Sequence, residues 1–256
     1  LKNWSLQGER NKRLTVRYVA AALIVWTGGF VHAAEDKPPS SDARYEYRQR
    51  HDPDGIGKFY FGREIAQVMG HEGADWLERP EREAEEEPGK LIAQLGLKPG
   101  DVVADIGAGS GYMTRRLATS VSPRGKVLAE DIQPEMLQLL GQKMAAIGIT
   151  NVTLTLGTVS DPKLPAGSVD LVLLVDVYHE FDFPFEMMTT ICRALKPSGR
   201  VVFVEYRAED PRVPIKRLHK MSEAQVRKEM APLPLLWFRT SEVLPRQHII
   251  FFAKKP

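Results

Sequence analysis

A single cysteine in 256 residues closes off two classes at once. A disulfide framework needs pairs, and a multi-cysteine zinc site needs more thiolates than Cys192 supplies. Cys192 lies in an apolar helical stretch and is expected to be a small core residue. An excess of one charge is missing too: 35 Lys and Arg stand against 33 Asp and Glu, a net +2. The first 33 residues hold Lys2, Arg10, Lys12, Arg13 and Arg17 against Glu9, so they carry +4 and leave −2 on the remainder. A near-neutral body offers no basic footprint for nucleic acid, which is not expected as a partner. No apolar run approaches the roughly 20 residues of a membrane-spanning helix. His179, His219 and His248 share no helical or turn spacing, so no metal site is expected. No internal repeat is visible.

What is present divides the chain in three. Arg10 to Arg17 is basic, Tyr18 to Phe30 is almost wholly apolar, and Val31-His32-Ala33 sets small residues at the −3 and −1 positions of a cut. That order is the pattern of a secretory signal peptide over residues 1–33, so export to a periplasmic or extracellular location is expected, with no stable membrane span once the segment is removed. Residues 34–90 read as a linker, Glu35 to Ser41, followed by a charged segment with helical pieces. Within it, Arg63 to Met69 is expected to be a short helix. Arg79 to Glu87 is expected to be a solvated helix with Arg79/Glu83 and Arg82/Glu86 pairs four residues apart. Phe59 to Trp76 is a candidate lid.

From Leu91 to the end, short apolar runs alternate with helical periodicity, the signature of a parallel sheet covered by helices on both faces. Strands are expected at 102–106, 126–130, 152–156, 169–175 and 200–206, with Pro197-Ser198-Gly199 as a turn before the fifth. Two further runs, 235–240 and 247–253, are expected to close the domain as an antiparallel hairpin.

The strongest local signal is Val103-Ala104-Asp105-Ile106-Gly107-Ala108-Gly109-Ser110-Gly111-Tyr112. A strand runs into a glycine loop and a helix comes at once after it, so backbone can approach a ligand with no Cβ in the way. A dinucleotide fingerprint reads G-x-G-x-x-G; this loop reads G-x-G-x-G. Asp105, two residues before the first glycine, suits a ligand with an ammonium group better than a pyrophosphate. The next strand ends in Glu130-Asp131 about 20 residues on, where a carboxylate can accept both hydroxyls of a ribose. The two acids are adjacent and point opposite ways, and Asp131 is taken to be the one that reaches.

The stretch from about Leu91 to Lys255 resembles the class I S-adenosylmethionine-dependent methyltransferases. The matching pieces are DIGAGSGYMTRRLA, GKVLAEDIQPEML, NVTL, LPAGSVDLVLLVDVYHEF and RALKPSGRVVFVE, in the family's order and spacing. The resemblance implies a Rossmann-like, doubly wound α/β fold. Its seven-stranded sheet is mostly parallel, with an antiparallel last strand. It also implies S-adenosyl-L-methionine as cofactor, with Asp105, Gly107 and Gly109 around its methionine part and Asp131 on its ribose. Ala108, Tyr112 and Ile132 flank these positions and are counted with them. Many members carry Gly-Asp after the third strand, the Asp meeting the adenine amino group. Here the pair is Gly157-Thr158, and Asp161 is the substitute considered.

The methyl acceptor is expected at the carboxyl end of the fourth strand, at Asp176-Val177-Tyr178-His179. Asp176, Tyr178 and His179 are the catalytic candidates. His179 suits a general base by its near-neutral pKa, and pairing with Glu180 is its structural alternative. A second cluster runs from Glu205 and Tyr206 to Lys216, Arg217 and His219. The acceptor is expected to be a small molecule. A protein-directed enzyme of isoaspartyl-repair type and a cofactor-binding protein without transfer activity remain open beside it.

Overall fold

The computed structural model describes residues 44–256, so the expected signal peptide and linker lie outside the described residues. The described part opens with a three-stranded antiparallel sheet: β1 (Tyr45–Tyr47), β2 (Gly55–Tyr60) and β3 (Arg63–Ala66). Arg63 onward is therefore a strand and not the expected helix. The reason is the turn before it. Tyr60 pairs with Arg63 across Phe61 and Gly62, whose φ angles are +50° and +88°. Two positive φ values in a two-residue loop match the twist of paired strands and commit the residues after Gly62 to a hairpin.

Three short helices come next: α1 (Ala74–Leu77), α2 (Arg82–Glu86) and α3 (Pro88–Leu95). The solvated helix expected over 79–87 is shorter and faces inward. Arg82 and Glu86 form the expected pair at 2.7 Å, but each is only 5% exposed. Tyr206 donates its hydroxyl to Glu86, and Arg82 lies 4.1 Å over the Tyr112 ring. Arg79 bonds Glu85 and Glu86 in place of Glu83, which instead accepts from the Tyr112 hydroxyl.

The main sheet contains β4 (Val102–Ile106), β5 (Lys126–Asp131), β6 (Val152–Leu156), β7 (Val169–Val175), β8 (Leu195–Tyr206), β9 (Leu235–Ser241) and β10 (Gln247–Lys254). Their order is β6-β5-β4-β7-β8-β10-β9. The first five run parallel, and β10 is antiparallel to both its neighbours. The expected turn at 197–199 is absorbed into β8 as an excursion. Val169 pairs with Leu195 and Leu171 with Arg200, so four residues of β8 bulge opposite Asp170, to which Lys196 reaches at 2.6 Å.

Alternation along the strands supplies two cores. Val172, Leu174, Val201 and Phe203 face α6 (Pro184–Ala194) and α7 (Glu223–Met230), with Cys192 buried among them. Leu171, Leu173, Val202 and Val204 face α3 and α4 (Thr114–Val121). Helix α5 (Pro134–Ala146) lays Leu140 and Met144 on Ala129. With both faces covered, β7 is apolar almost end to end, as a doubly buried strand must be. The order of strands reverses between β4 and β7, and crevices that bind ligands form at such a switch point, beyond the strands' carboxyl ends.

Candidate active site

The loop after β4 is held open by its glycines. Gly107, Gly109 and Gly111 have φ of +64°, +53° and +86°, a region where L side chains are strained. A Cβ on Gly107 would stand 2.3 Å from Val177 Cγ2, and one on Gly109 2.8 Å from Leu77 Cδ1. The first distance shows how tightly the loops after β4 and β7 meet at the switch point. The second brings α1 against the loop.

The end of β5 anchors this loop. The Gly109 N–H donates to Asp131 Oδ2 at 2.9 Å, and the Ala108 N–H to the Glu130 carbonyl at 2.8 Å. Asp131 also accepts the Gln133 N–H through Oδ1. Glu130 receives only a long 3.4 Å contact from the Gly107 N–H, and its Oε1 is buried without a partner among the described residues. That oxygen fills the space over Gly157, where a Cβ would stand 1.8 Å away. Burial, reinforced by the Asp131 charge, pushes the Glu130 carboxyl up to about 8. Behind the loop, Asp105 accepts the Thr114 hydroxyl at 2.6 Å and is raised by burial to about 6.

A cavity of about 560 Å³ lies over the switch point. Its floor is Gly107 and Gly109. One wall is Glu130, Asp131, Ile132 and Met136, and the opposite wall is Asp176, Val177, His179 and Glu180. Val68, Met69, Trp76 and Leu77 close a third side, and Ile215, Lys216 and His219 a fourth. Asp176 sits at φ +49°, a strained conformation for a non-glycine residue. Its Oδ2 accepts from Gln247 at 2.6 Å while Oδ1 is buried and unpartnered among the described residues. Burial, then the charges of Glu86 and Glu205, drive its carboxyl well above the usual range.

His179 is 2% exposed and lies in a short turn, Tyr178–Glu180. Its Nδ1 is 2.7 Å from Glu205 Oε2, and its Nε2 is 3.1 Å from His219 Nδ1. Burial alone would depress this imidazole, but the Glu205 carboxylate outweighs it and the net shift is upward. The turn is tied down from outside: Arg63 donates to the His179 carbonyl at 3.0 Å and pairs with buried Glu229 at 2.7 Å.

The residues singled out by sequence divide accordingly. Gly107, Gly109, Asp131, Ile132, Asp176 and His179 all face one cavity. Ala108 and Asp105 support the loop from behind. Tyr112 does not line the cavity: its ring is buried against α4, with Arg82, Arg115 and Arg116 stacked on it. Tyr178 turns into the core between Phe181 and Phe203 and donates its hydroxyl to Glu229, so it is not at the acceptor wall. Asp161 is occupied by Lys163 at 2.9 Å, and Val159 takes the place on the cavity wall. The structural alternative for His179, a pairing with Glu180, changes too, since its close partner is Glu205, with Glu180 at 3.9 Å. His219 reaches the site across 40 residues of chain, a proximity no local spacing signals. His248 stays apart, buried on β10 with its Nε2 unpartnered among the described residues.

A family model described as a methyltransferase domain matches residues 97–242, more than half of the chain. The chain belongs to the class I S-adenosylmethionine-dependent methyltransferases. S-adenosyl-L-methionine is the cofactor this family implies. Demethylmenaquinone methyltransferase of Symbiobacterium thermophilum is 32% identical over 117 residues, covering 45% of this chain and 47% of that protein. The ubiquinone/menaquinone biosynthesis C-methyltransferase UbiE of Ectopseudomonas mendocina is 29% identical over 116 residues, 45% of each. The chain thus spans about half the length of the curated relatives it matches. Among solved structures, a SAM-dependent methyltransferase from Aquifex aeolicus aligns at TM-score 0.69 and 24% identity, covering 73% of this chain and 100% of that one, a likeness of fold.

Proposed function

We propose that this protein transfers the methyl group of S-adenosyl-L-methionine to a small-molecule acceptor held in the cavity over the switch point. The observation that carries this reading is the meeting of the glycine loop, Asp131 and the His179 wall on one space of about 560 Å³. Cavities of about 300–1,000 Å³ suit small-molecule and cofactor binding, and the apolar side chains of Val68, Met69, Trp76 and Leu77 favour such a ligand over an exposed peptide. The Symbiobacterium relative is named for demethylmenaquinone, itself a small molecule, which agrees with that choice.

The residues fit the cofactor on two counts. The loop backbone at Gly107 and Gly109 leaves a cradle that a single Cβ would close. The buried oxygens without partners, Glu130 Oε1 and Asp176 Oδ1, need hydrogen-bond partners. The cofactor carries an ammonium group, a sulfonium and two ribose hydroxyls. When bound it supplies an electrophilic methyl on that sulfonium. Gly107 and Gly109 would hold its methionine part, with Ala108 bracing the loop and Asp105 contributing charge from behind it. Asp131 would accept the ribose hydroxyls with lone pairs its two N–H donors leave free. Ile132 and Val159 offer apolar surface to the base.

On the acceptor side, Glu205 fixes the His179 ring so that Nε2 faces the cavity. There the imidazole aligns the acceptor's nucleophilic atom and draws off its proton. Because the methyl is already activated, alignment supplies most of the rate. A transfer assay with labelled cofactor tests the reading, run separately on small-molecule and protein fractions. Label entering the small-molecule fraction supports it, and label entering only protein overturns the small-molecule acceptor.

A further inference from the structure

Three side chains on the acceptor wall converge more closely than orientation of a substrate requires. His179 Nε2 and His219 Nδ1 are 3.1 Å apart, His219 Nδ1 and Glu180 Oε1 are 3.5 Å apart, and His179 Nε2 and Glu180 Oε1 are 3.9 Å apart. Ligands at about 2.0–2.1 Å from a tetrahedral ion stand about 3.3 Å from one another. The triangle already has nearly that size.

A hydrogen bond between the two imidazoles accounts for the shortest side alone. It leaves the Glu180 carboxylate at 3.5 and 3.9 Å from the two rings, with neither distance a good hydrogen bond. The surroundings favour an ion as well. Glu205, fully buried, lies 2.7 Å from His179 Nδ1 and keeps the proton there, which leaves the Nε2 lone pair aimed into the triangle. A carboxylate behind a histidine is the usual outer partner of a metal ligand, fixing tautomer and ring together. Glu205 Oε1 has no hydrogen-bond partner among the described residues. The His219 and Glu180 side chains are 23% and 12% exposed and face the cavity, so the fourth position opens onto it.

We propose that His179 Nε2, His219 Nδ1 and the Glu180 carboxylate bind one divalent transition-metal ion of the zinc class, with an open position facing the cavity. Two imidazoles and one carboxylate suit zinc, iron or cobalt and not the all-oxygen preference of magnesium or calcium. The open position then holds the acceptor through an oxygen or sulfur atom, so with the ion bound His179 Nε2 acts on the acceptor through the metal and no longer takes its proton directly. That atom's proton leaves to solvent, and its electron pair forms the bond to the methyl carbon as the carbon–sulfur bond breaks toward sulfur. This last step rests on the methyl-transfer reading, whereas the ion site does not.

Cobalt alone is the probe. Full-length protein stripped by chelator and titrated with CoCl₂ is expected to bind one equivalent, seen as heat and as visible absorption. His219→Ala and Glu180→Gln are expected to weaken uptake by roughly 100-fold or more, and Glu205→Gln by about 10–100-fold. His71→Ala, on an exposed side chain that does not line the cavity, is expected to leave uptake unchanged. Thermal melts of each variant confirm that it is folded. No cobalt uptake by the folded protein overturns the site, as does uptake unchanged in both His219→Ala and Glu180→Gln. A parallel titration with S-adenosyl-L-methionine separates the two proposals. Cobalt uptake without cofactor binding supports the ion site and removes the methyl-transfer reading; cofactor binding without cobalt uptake overturns the ion site only.

Discussion

Glu130 is held in a pocket that opposes its ionisation, and this has a consequence for stability. Its carboxyl moves from an ordinary 4.5 to about 8, first through burial and then through the Asp131 charge. The folded chain therefore keeps a proton that the unfolded chain gives up. The stabilisation from that proton is full below about 4.5 and is lost as pH rises through about 8. Glu130→Gln keeps the shape and removes the titration, so its melting temperature should fall less than the wild type's between about pH 5 and about pH 9. Parallel melting profiles would show that Glu130 is not the group responsible. On the opposite wall, His179→Ala should leave affinity for S-adenosyl-L-methionine within a few-fold while the transfer rate drops by roughly 10²-fold or more. Titration calorimetry and single-turnover kinetics on the same variant check this. A folded variant with full rate takes His179 out of the acceptor site.

Among the elements, β3 and α7 are joined by the Arg63–Glu229 pair, 2.7 Å long, with the Arg63 and Glu229 side chains 10% and 0% exposed. Removing one member of a buried pair leaves the other charged and unmatched, at about 3–5 kcal/mol. Arg63→Ala should lose that much in urea unfolding, and because Arg63 also holds the His179 carbonyl, the acceptor wall should loosen with it. A loss under about 1 kcal/mol would mark the pair as a surface-like contact. Elements also differ in how far the sequence discloses them. The strands of the main sheet were legible because Val169–Val175 and its neighbours carry their burial as plain apolar runs. The three-stranded sheet was not. Its strands are short, they bury Lys58 and Glu64, and the hairpin is set by positive φ at Phe61, a residue with no turn signature. The glycine loop and Asp131 were legible since they are local to one strand-loop-helix unit. Tyr112 and Tyr178 were misread because sequence gives the loop but not the direction in which a side chain leaves it. The burial of the Arg82–Glu86 pair and the closeness of His179 to His219 escaped because each depends on contacts made across the chain.

At the scale of the whole molecule, residues 97–242 match the methyltransferase family model while an earlier segment supplies one side of the cavity, through Val68, Met69, Trp76 and Leu77. No helix among the described residues is long and apolar enough to cross a membrane. The basic, apolar and small-residue order of residues 10–33 supports our proposal that the protein is exported. Mass spectrometry of the chain produced in a bacterial host is expected to find a mature form beginning near Ala34. An intact N-terminus in the cytosolic fraction would refute export. The methyl-transfer reading stands or falls on whether the cavity at the switch point binds S-adenosyl-L-methionine, and isothermal titration of the full-length protein with that cofactor decides it. One equivalent should bind to the wild type and none to a folded Gly107→Val variant, whose side chain would stand where Val177 and the cofactor's cradle meet. A folded wild type that gives no binding, or a Gly107→Val variant that binds as tightly as the wild type, would overturn the assignment.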